Sequence, residues 1–197
     1  MTKQFTEDWT TPHIETWKKY LGHLVGQPDS RGLEIGCFEG RSTLWFLENI
    51  LTHPSSEITC VDTFLGGDDQ RKYGTNLYGL RERFCSNTYE AILSGRVSVL
   101  QIRSHEFLKR IEVNQSDFIY LDASHLASNV LEDSVLAWRH LRFDGIMIWD
   151  DYAWTLDPER LFRPGPAIDA FLDIYSNQLE VLHKGWQVIA RKICETN

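Results

Sequence analysis

Short apolar runs alternate with longer segments of helical spacing along this chain. GLEIGC (32–37), EITCVDTF (57–64), RVSVLQI (96–102), DFIYLD (117–122) and GIMIWDD (145–151) have the length and apolar content that predict buried strands. Between them, RSTLWFLENILT (41–52), a segment reaching to about residue 93, SHEFLKRI (104–111) and LASNVLEDSVLAWRHLR (126–142) read as helices. In the last of these, Val130, Leu131, Val135, Trp138 and Leu141 recur at helical spacing. PHIETWKKYLGHLV (12–25) predicts an amphipathic helix with Pro12 in its first turn, and Ser104 stands where it would cap the helix that follows it. A further helix near 166–177 comes after RPGP, and LEVLHKGWQVIARKI reads as two strands joined by a tight turn at Lys184-Gly185. Five βα units closed by a hairpin predict a doubly wound α/β sheet with helices on both faces. The length of 197 residues suits an N-terminal helical extension over 1–28 and one domain over 29–197.

Charge narrows the choice of partner. The net charge of -8 argues against nucleic acid and anionic membranes, both of which need a basic face. No apolar run approaches membrane-spanning length, and the N-terminus shows no apolar core of a signal peptide. Cys37, Cys60, Cys85 and Cys194 form no CxxC, which argues against a zinc or thioredoxin-type site. Cys37 and Cys60 lie in apolar, strand-like contexts and read as buried thiols, which fits a reducing, cytoplasmic setting.

In a parallel sheet the binding crevice lies at the carboxyl ends of the strands, so the residues at those ends matter most. The first strand ends in EIGCFEGRST, where Gly36 and Gly40 flank a turn leading into a helix. Such a turn lets backbone approach a ligand, although an ordinary βα turn has the same form. Its G-x-x-x-G spacing fits neither a dinucleotide fingerprint nor a P-loop. Asp62 ends the second strand, well placed for a ribose diol. The fourth strand ends in YLDASH, with Asp122 and His125, and the fifth in the pair Asp150-Asp151. Adjacent carboxylates repel each other, and a divalent cation such as Mg2+ or Mn2+ relieves that repulsion. The bland alternative has Asp151 capping the next segment and Asp150 facing water.

These motifs, LEIGCFEGRST, VDTF, DFIYLDASH and DGIMIWDDY in that order, resemble class I S-adenosylmethionine-dependent methyltransferases, and within them the small O-methyltransferases of methyltransferase family 24. The likeness covers roughly residues 30 to 175. It implies a Rossmann-like seven-stranded sheet with the last strand antiparallel. It implies that Glu34, Gly36, Phe38 and Gly40 line the cofactor pocket, that Asp62 holds the ribose, and that Ser104 contacts the adenine side. The metal-dependent branch, typified by catechol and caffeoyl-CoA O-methyltransferases, carries acids at the positions of Asp122, Asp150 and Asp151. It has Asn where this chain has Asp151, and a lysine base where this chain has His125.

The resemblance then implies a methyl transfer from S-adenosylmethionine to a hydroxyl of a small molecule, a sugar or a secondary metabolite. Asp122, Asp150 and Asp151 would hold the metal, and His125 would act as base beside Asp122. The other histidines, at 13, 23, 53, 105, 140 and 183, lie in helix or loop contexts and read as surface or packing residues. Segments 65–80 and 152–165 would cover the acceptor, the second offering Tyr152, Trp154, Arg160 and Arg163. Three alternatives stand beside this reading: a hydroxylase-like activity on the same fold, a catalytically silent nucleoside-binding protein, and an NAD-linked dehydrogenase. The acidic cluster disfavours the silent binder, and the glycine spacing with the closing hairpin disfavours the dehydrogenase. A homodimer could form through the N-terminal helix or the hairpin; nothing in the sequence chooses.

Overall fold

The computed structural model describes residues 3–72, 74–110 and 115–194. Its strands are β1 (Arg31–Ile35), β2 (Glu57–Asp62), β3 (Val97–Gln101), β4 (Ser116–Leu121), β5 (Leu141–Trp149), β6 (Leu179–Lys184) and β7 (Val188–Lys192). They form one sheet of order β3-β2-β1-β4-β5-β7-β6, the seven-stranded Rossmann-like fold expected. The last strand, β7, runs antiparallel to both β5 and β6, so the closing hairpin is present. The helices are α1 (Ile14–Leu21), α2 (Arg41–Asn49), α3 (Asp68–Lys72), α4 (Leu80–Asn87), α5 (Tyr89–Leu93), α6 (Ser104–Leu108), α7 (Ala127–Trp138) and α8 (Pro164–Ile174). Among the described residues no helix is long and apolar enough to cross a membrane.

The chain divides into two compact units, Met1–Ile102 and Arg103–Asn197. In the first, β1 and β2 pair in parallel, as do β2 and β3, with Glu34 opposite Cys60. α2 packs on β2 and α5 on β3. Trp17 of α1 is fully buried, its ring 5.3 Å from that of Trp45 and 4.6 Å from that of Phe46 on α2, so the N-terminal helix docks through aromatic contacts. The predicted helix over 12–25 is shorter than expected. A 3-10 turn at Thr11–His13 carries Pro12, and another at Gly22–Leu24 ends it.

In the second unit, every residue of β4 is buried and β5 is buried from Gly145 onward, which is why both read as apolar runs. α7 packs on both strands and is flanked by α6 and α8. The predicted helix over 126–142 stops at Trp138, and Leu141 instead opens β5. The ammonium of the buried Lys192 explains the break, because it donates to the carbonyls of Trp138 and Leu141 at 3.1 and 2.6 Å. These carbonyls are satisfied by a side chain from β7. α6 begins at Ser104 with Arg103 as the preceding residue, and no side-chain cap bond is made. Ser104 therefore does not cap its helix; its hydroxyl bonds Asp133 on α7 instead. Ile111, the last residue of the predicted 104–111 helix, lies outside the described residues.

Candidate active site

The turn after β1 is held by a carboxylate. Asp62, at the end of β2, accepts from the backbone N–H groups of Cys37 and Phe38 through Oδ2, at 2.8 and 3.0 Å. Its Oδ1 accepts from the N–H of Phe64 at 2.7 Å. The cost of this arrangement is visible in the backbone. Phe38 and Phe64 have φ of 46° and 55°, a region that bulky residues rarely enter. Such strain is maintained where surrounding bonds over-determine it, often at ligand sites. Gly40 precedes α2 with φ 78°, and a Cβ there would meet Thr88 Cγ2 at 2.9 Å and Phe84 at 3.0 Å.

Beneath the turn Glu34 is fully buried. Ser42 and Thr43, in the first turn of α2, donate to its two oxygens at 2.5 Å each. Burial outweighs these bonds and pushes its carboxyl up to about 7. Next to it in sequence space, Glu39 is also buried and ties the turn to its surroundings. It pairs with Arg83 of α4 at 2.6 Å and accepts from the N–H and hydroxyl of Thr6. The ring of Trp9 lies 5.0 Å from that of Phe38. Residues near the N-terminus thus cover the same turn that the sequence picked out.

In the second unit the strand ends gather an acidic group around a phenol. Tyr120 of β4 is buried, and its hydroxyl lies 3.1 Å from Asp122 Oδ2 and in closer contact with Asp150 Oδ2. Burial, with the charges of Asp122 and Asp150, pushes the phenol pKa well above its usual value, so it stays protonated and donates. Asp150 is buried and takes the backbone N–H of Asp151 on Oδ1 at 2.8 Å, so it does not face water. Asp151 has φ 56°, a conformation that Asp and Asn tolerate better than most residues. Its side chain meets His125 Nε2 at 2.8 Å through Oδ2 and the indole N–H of Trp186 at 3.2 Å through Oδ1. The buried Trp154 ring lies 4.4 Å from the His125 ring.

A family profile described as a methyltransferase domain, that of family 24, matches residues 33–152. The chain belongs to this family. The class read from the sequence, a methyltransferase, holds. A search of curated proteins finds no match. Among solved structures the chain is similar to the O-methyltransferase NovP, with a TM-score of 0.73 at 14% identity over 92% of this chain and 80% of that one. It is similar to an O-methyltransferase from Bacillus cereus in complex with SAH (0.60, 18%, 90% and 80%). It is also similar to an SAH-bound Podospora anserina methyltransferase (0.59, 20%, 92% and 76%). At these identities the likeness shows the fold.

In this methyltransferase the sequence-predicted residues fall into two groups. Glu34, Gly36, Phe38, Gly40 and Asp62 come together at the ends of β1 and β2, with Glu34 under the turn and closed off from solvent. Asp122, His125, Asp150 and Asp151 come together at the ends of β4 and β5, linked by Tyr120 and by the His125–Asp151 contact. The three aspartates do not draw one oxygen of each within 4.8 Å of the others. Among the described residues that convergence occurs at Glu34, Cys37 and Cys60. Ser104 is committed to Asp133. Of the loop residues, Arg163 holds the carbonyls of Asp157 and Pro158, and the Tyr152 hydroxyl bonds Asp169. Sequence reading missed Tyr120 and Trp186. Tyr120 stands in β4 two residues before Asp122, which follows the strand's last residue, so strand periodicity would place the two on the same side. Trp186 lies in the hairpin turn and carries no such local signal.

Proposed function

We propose that the protein transfers the methyl group of S-adenosylmethionine to a hydroxyl of a small molecule, a sugar or a secondary metabolite, assisted by Mg2+ or Mn2+ at the ends of β4 and β5. The observation that carries this reading is the gathering of Asp122, Asp150 and Asp151 at the ends of β4 and β5, the first two around the buried phenol of Tyr120. Like charges this close repel each other, and a cation among them relieves that repulsion. Hard oxygen donors of this kind suit a small divalent cation. Asp122 and Asp150 would hold it, with Asp151 joining them. When bound, the cation would polarise the acceptor hydroxyl and ease the loss of its proton. The similarity to NovP and to the Bacillus cereus enzyme, both O-methyltransferases, supports oxygen as the acceptor atom.

The chain's own groups supply the rest. A carboxylate only accepts hydrogen bonds, so Asp151 fixes the tautomer of His125 with the proton on Nε2. His125 is the group assigned to receive the acceptor's proton. Trp186 steadies the other oxygen of Asp151, and Trp154 packs against the imidazole. In the first unit, Gly36, Phe38 and Gly40 bring backbone to the cofactor. Asp62 has about one lone-pair site beyond those taken by the three N–H groups and offers it to a ribose hydroxyl. Glu34 positions the turn and the start of α2 from below. S-adenosylmethionine, when bound, would supply a methyl group already activated on its sulfonium, and the chain's part would be to align the acceptor oxygen with it. Alignment supplies most of the rate. The net charge of -8 favours a small acceptor over nucleic acid.

The test is calorimetric titration with S-adenosylmethionine, alone, with Mg2+ and with a chelator, followed by turnover of Asp150→Ala. The expected outcome is cofactor binding in wild type and variant alike, with metal-stimulated turnover lost in the variant. Equal turnover in both refutes the metal, and no binding heat from folded protein refutes the cofactor.

A further inference from the structure

The two buried thiols of the first unit take no part in that chemistry, yet they are not scattered. Cys60 of β2 lies directly opposite Glu34 of β1 in the strand register, and Cys37 follows the end of β1. Glu34 and Cys60 are fully buried and Cys37 is 2% exposed. One ligand atom from each of the three lies within 4.8 Å of the other two. The Cys60 Sγ stands 3.7 Å from Glu34 Oε2, and the Thr43 Oγ1 stands 3.6 Å from the Cys60 Sγ. We propose that Glu34, Cys37 and Cys60 form a buried binding site for a thiophilic divalent cation of the zinc class, with the Thr43 hydroxyl in the fourth position.

The spacing of the donors is what such an ion requires. Tetrahedral zinc holds sulfur at about 2.3 Å and oxygen at about 2.0 Å, so its sulfur–oxygen edges measure about 3.5 Å. The two sulfur–oxygen separations made by Cys60, 3.7 and 3.6 Å, are close to that value before any adjustment, and Cys37 Sγ lies within 4.8 Å of the other ligand atoms. The Thr43–Glu34 contact, 2.5 Å, must open to an oxygen–oxygen edge of about 3.3 Å. Each thiol and the carboxyl release a proton to solvent as their bonds to the metal form. Two thiolates and one carboxylate then leave the site one negative charge in excess of a divalent ion. Sulfur ligands select this class of ion over Mg2+ and Ca2+, so the site is distinct in chemistry from the aspartates of β4 and β5. The absence of a CxxC motif does not count against it. The two cysteines are brought together by the pairing of neighbouring strands, which no short motif encodes. The ion would tie the turn to β2 beside the Cys37 N–H that Asp62 accepts. With all three ligands closed off from solvent, the ion enters while the chain folds or during local opening.

The experiment uses the full chain carrying Cys85→Ser and Cys194→Ser, which removes the thiols outside the cluster. This protein is unfolded in denaturant, freed of metal with a chelator, and refolded with Cd2+. The expected result is one equivalent of Cd2+, a sulfur-to-cadmium charge-transfer band, a 113Cd resonance typical of mixed sulfur and oxygen ligands, and displacement by Zn2+. Adding Cys60→Ser should abolish the band. If that variant fails to refold, Glu34→Gln serves instead and should weaken binding by about tenfold or more, since even outer-shell changes at metal sites cost that much. Refolded protein without the band at millimolar Cd2+ overturns the proposal, as does a band of unchanged intensity in the folded Cys60→Ser protein.

Discussion

Asp133 shows how a single buried group sets the pH response of its unit. It lies on α7, 6% exposed, and accepts a bond from the Ser104 hydroxyl. Burial, with a smaller push from Glu132, raises its carboxyl from 3.8 to about 6, against opposing help from Ser104 and His105. The folded protein therefore holds this proton more tightly than the unfolded chain. Its contribution to stability is fully present below pH 3.8 and is lost as pH rises through about 6. The shift corresponds to at most about 3 kcal/mol. Asp133→Asn keeps a group of the same shape against Ser104 without the charge. It should unfold at a higher temperature than wild type at pH 8 and at nearly the same temperature at pH 4, as followed by circular dichroism. A wild-type advantage at pH 8 would mean that the carboxylate is stabilised by contacts stronger than its desolvation. At this scale the sequence was a fair guide to residue type and a poor one to residue task. The acids Asp62, Asp122, Asp150 and Asp151 stand out because charges at the ends of apolar runs need a reason. Glu34 stands out in the same way, but its burial beneath the turn comes from α2 folding back over it, which no local pattern records.

At the scale of elements, strands were more legible than helix boundaries, for a physical reason. A buried parallel strand must be apolar over its whole length, so β1, β2, β4 and β5 declare themselves. A helix end depends on what satisfies its last carbonyls, and for α7 that is Lys192, more than fifty residues away in sequence. α3 is a single polar turn of five residues, too short to show a period, within a stretch that reads as connection. The helical segment ending near 93 is interrupted at Thr88, whose hydroxyl bonds back to the Phe84 carbonyl and separates α4 from α5. Thr88 and Phe84 also set the limit on the turn after β1, since they fill the space where a side chain at Gly40 would go. Gly40→Ala faces a left-handed backbone and contacts near 2.9 Å at once. Together these should cost about 3 kcal/mol and lower the melting temperature by roughly 10 °C. An unchanged melting temperature would show that α4 and α5 move aside freely and that the turn is not clamped between them.

At the scale of the whole molecule, the cofactor reading makes a claim about the unfolding equilibrium. A ligand that binds only the folded chain stabilises it in proportion to the logarithm of its concentration over Kd. The proposed contacts with S-adenosylmethionine come from a backbone turn held open by Asp62 and from strained residues at Phe38 and Phe64. None of these exists as a site in the unfolded chain. At a hundredfold excess over Kd the gain is about 2.7 kcal/mol, which for a chain of this length raises the melting temperature by roughly 5–10 °C. S-adenosylhomocysteine should do the same, because the turn addresses the parts that the two molecules share. NAD should give no shift, because the G-x-x-x-G turn lacks the spacing that admits a pyrophosphate. The shift should also collapse in Asp62→Ala, even after allowance for a lower starting melting temperature, because that variant loses both the anchor of the turn and the ribose acceptor. A shift with NAD in place of S-adenosylmethionine would move the assignment from methyl transfer to hydride transfer. A shift that survives Asp62→Ala undiminished would separate the cofactor from the end of β2 and direct the search for its contacts elsewhere in the fold.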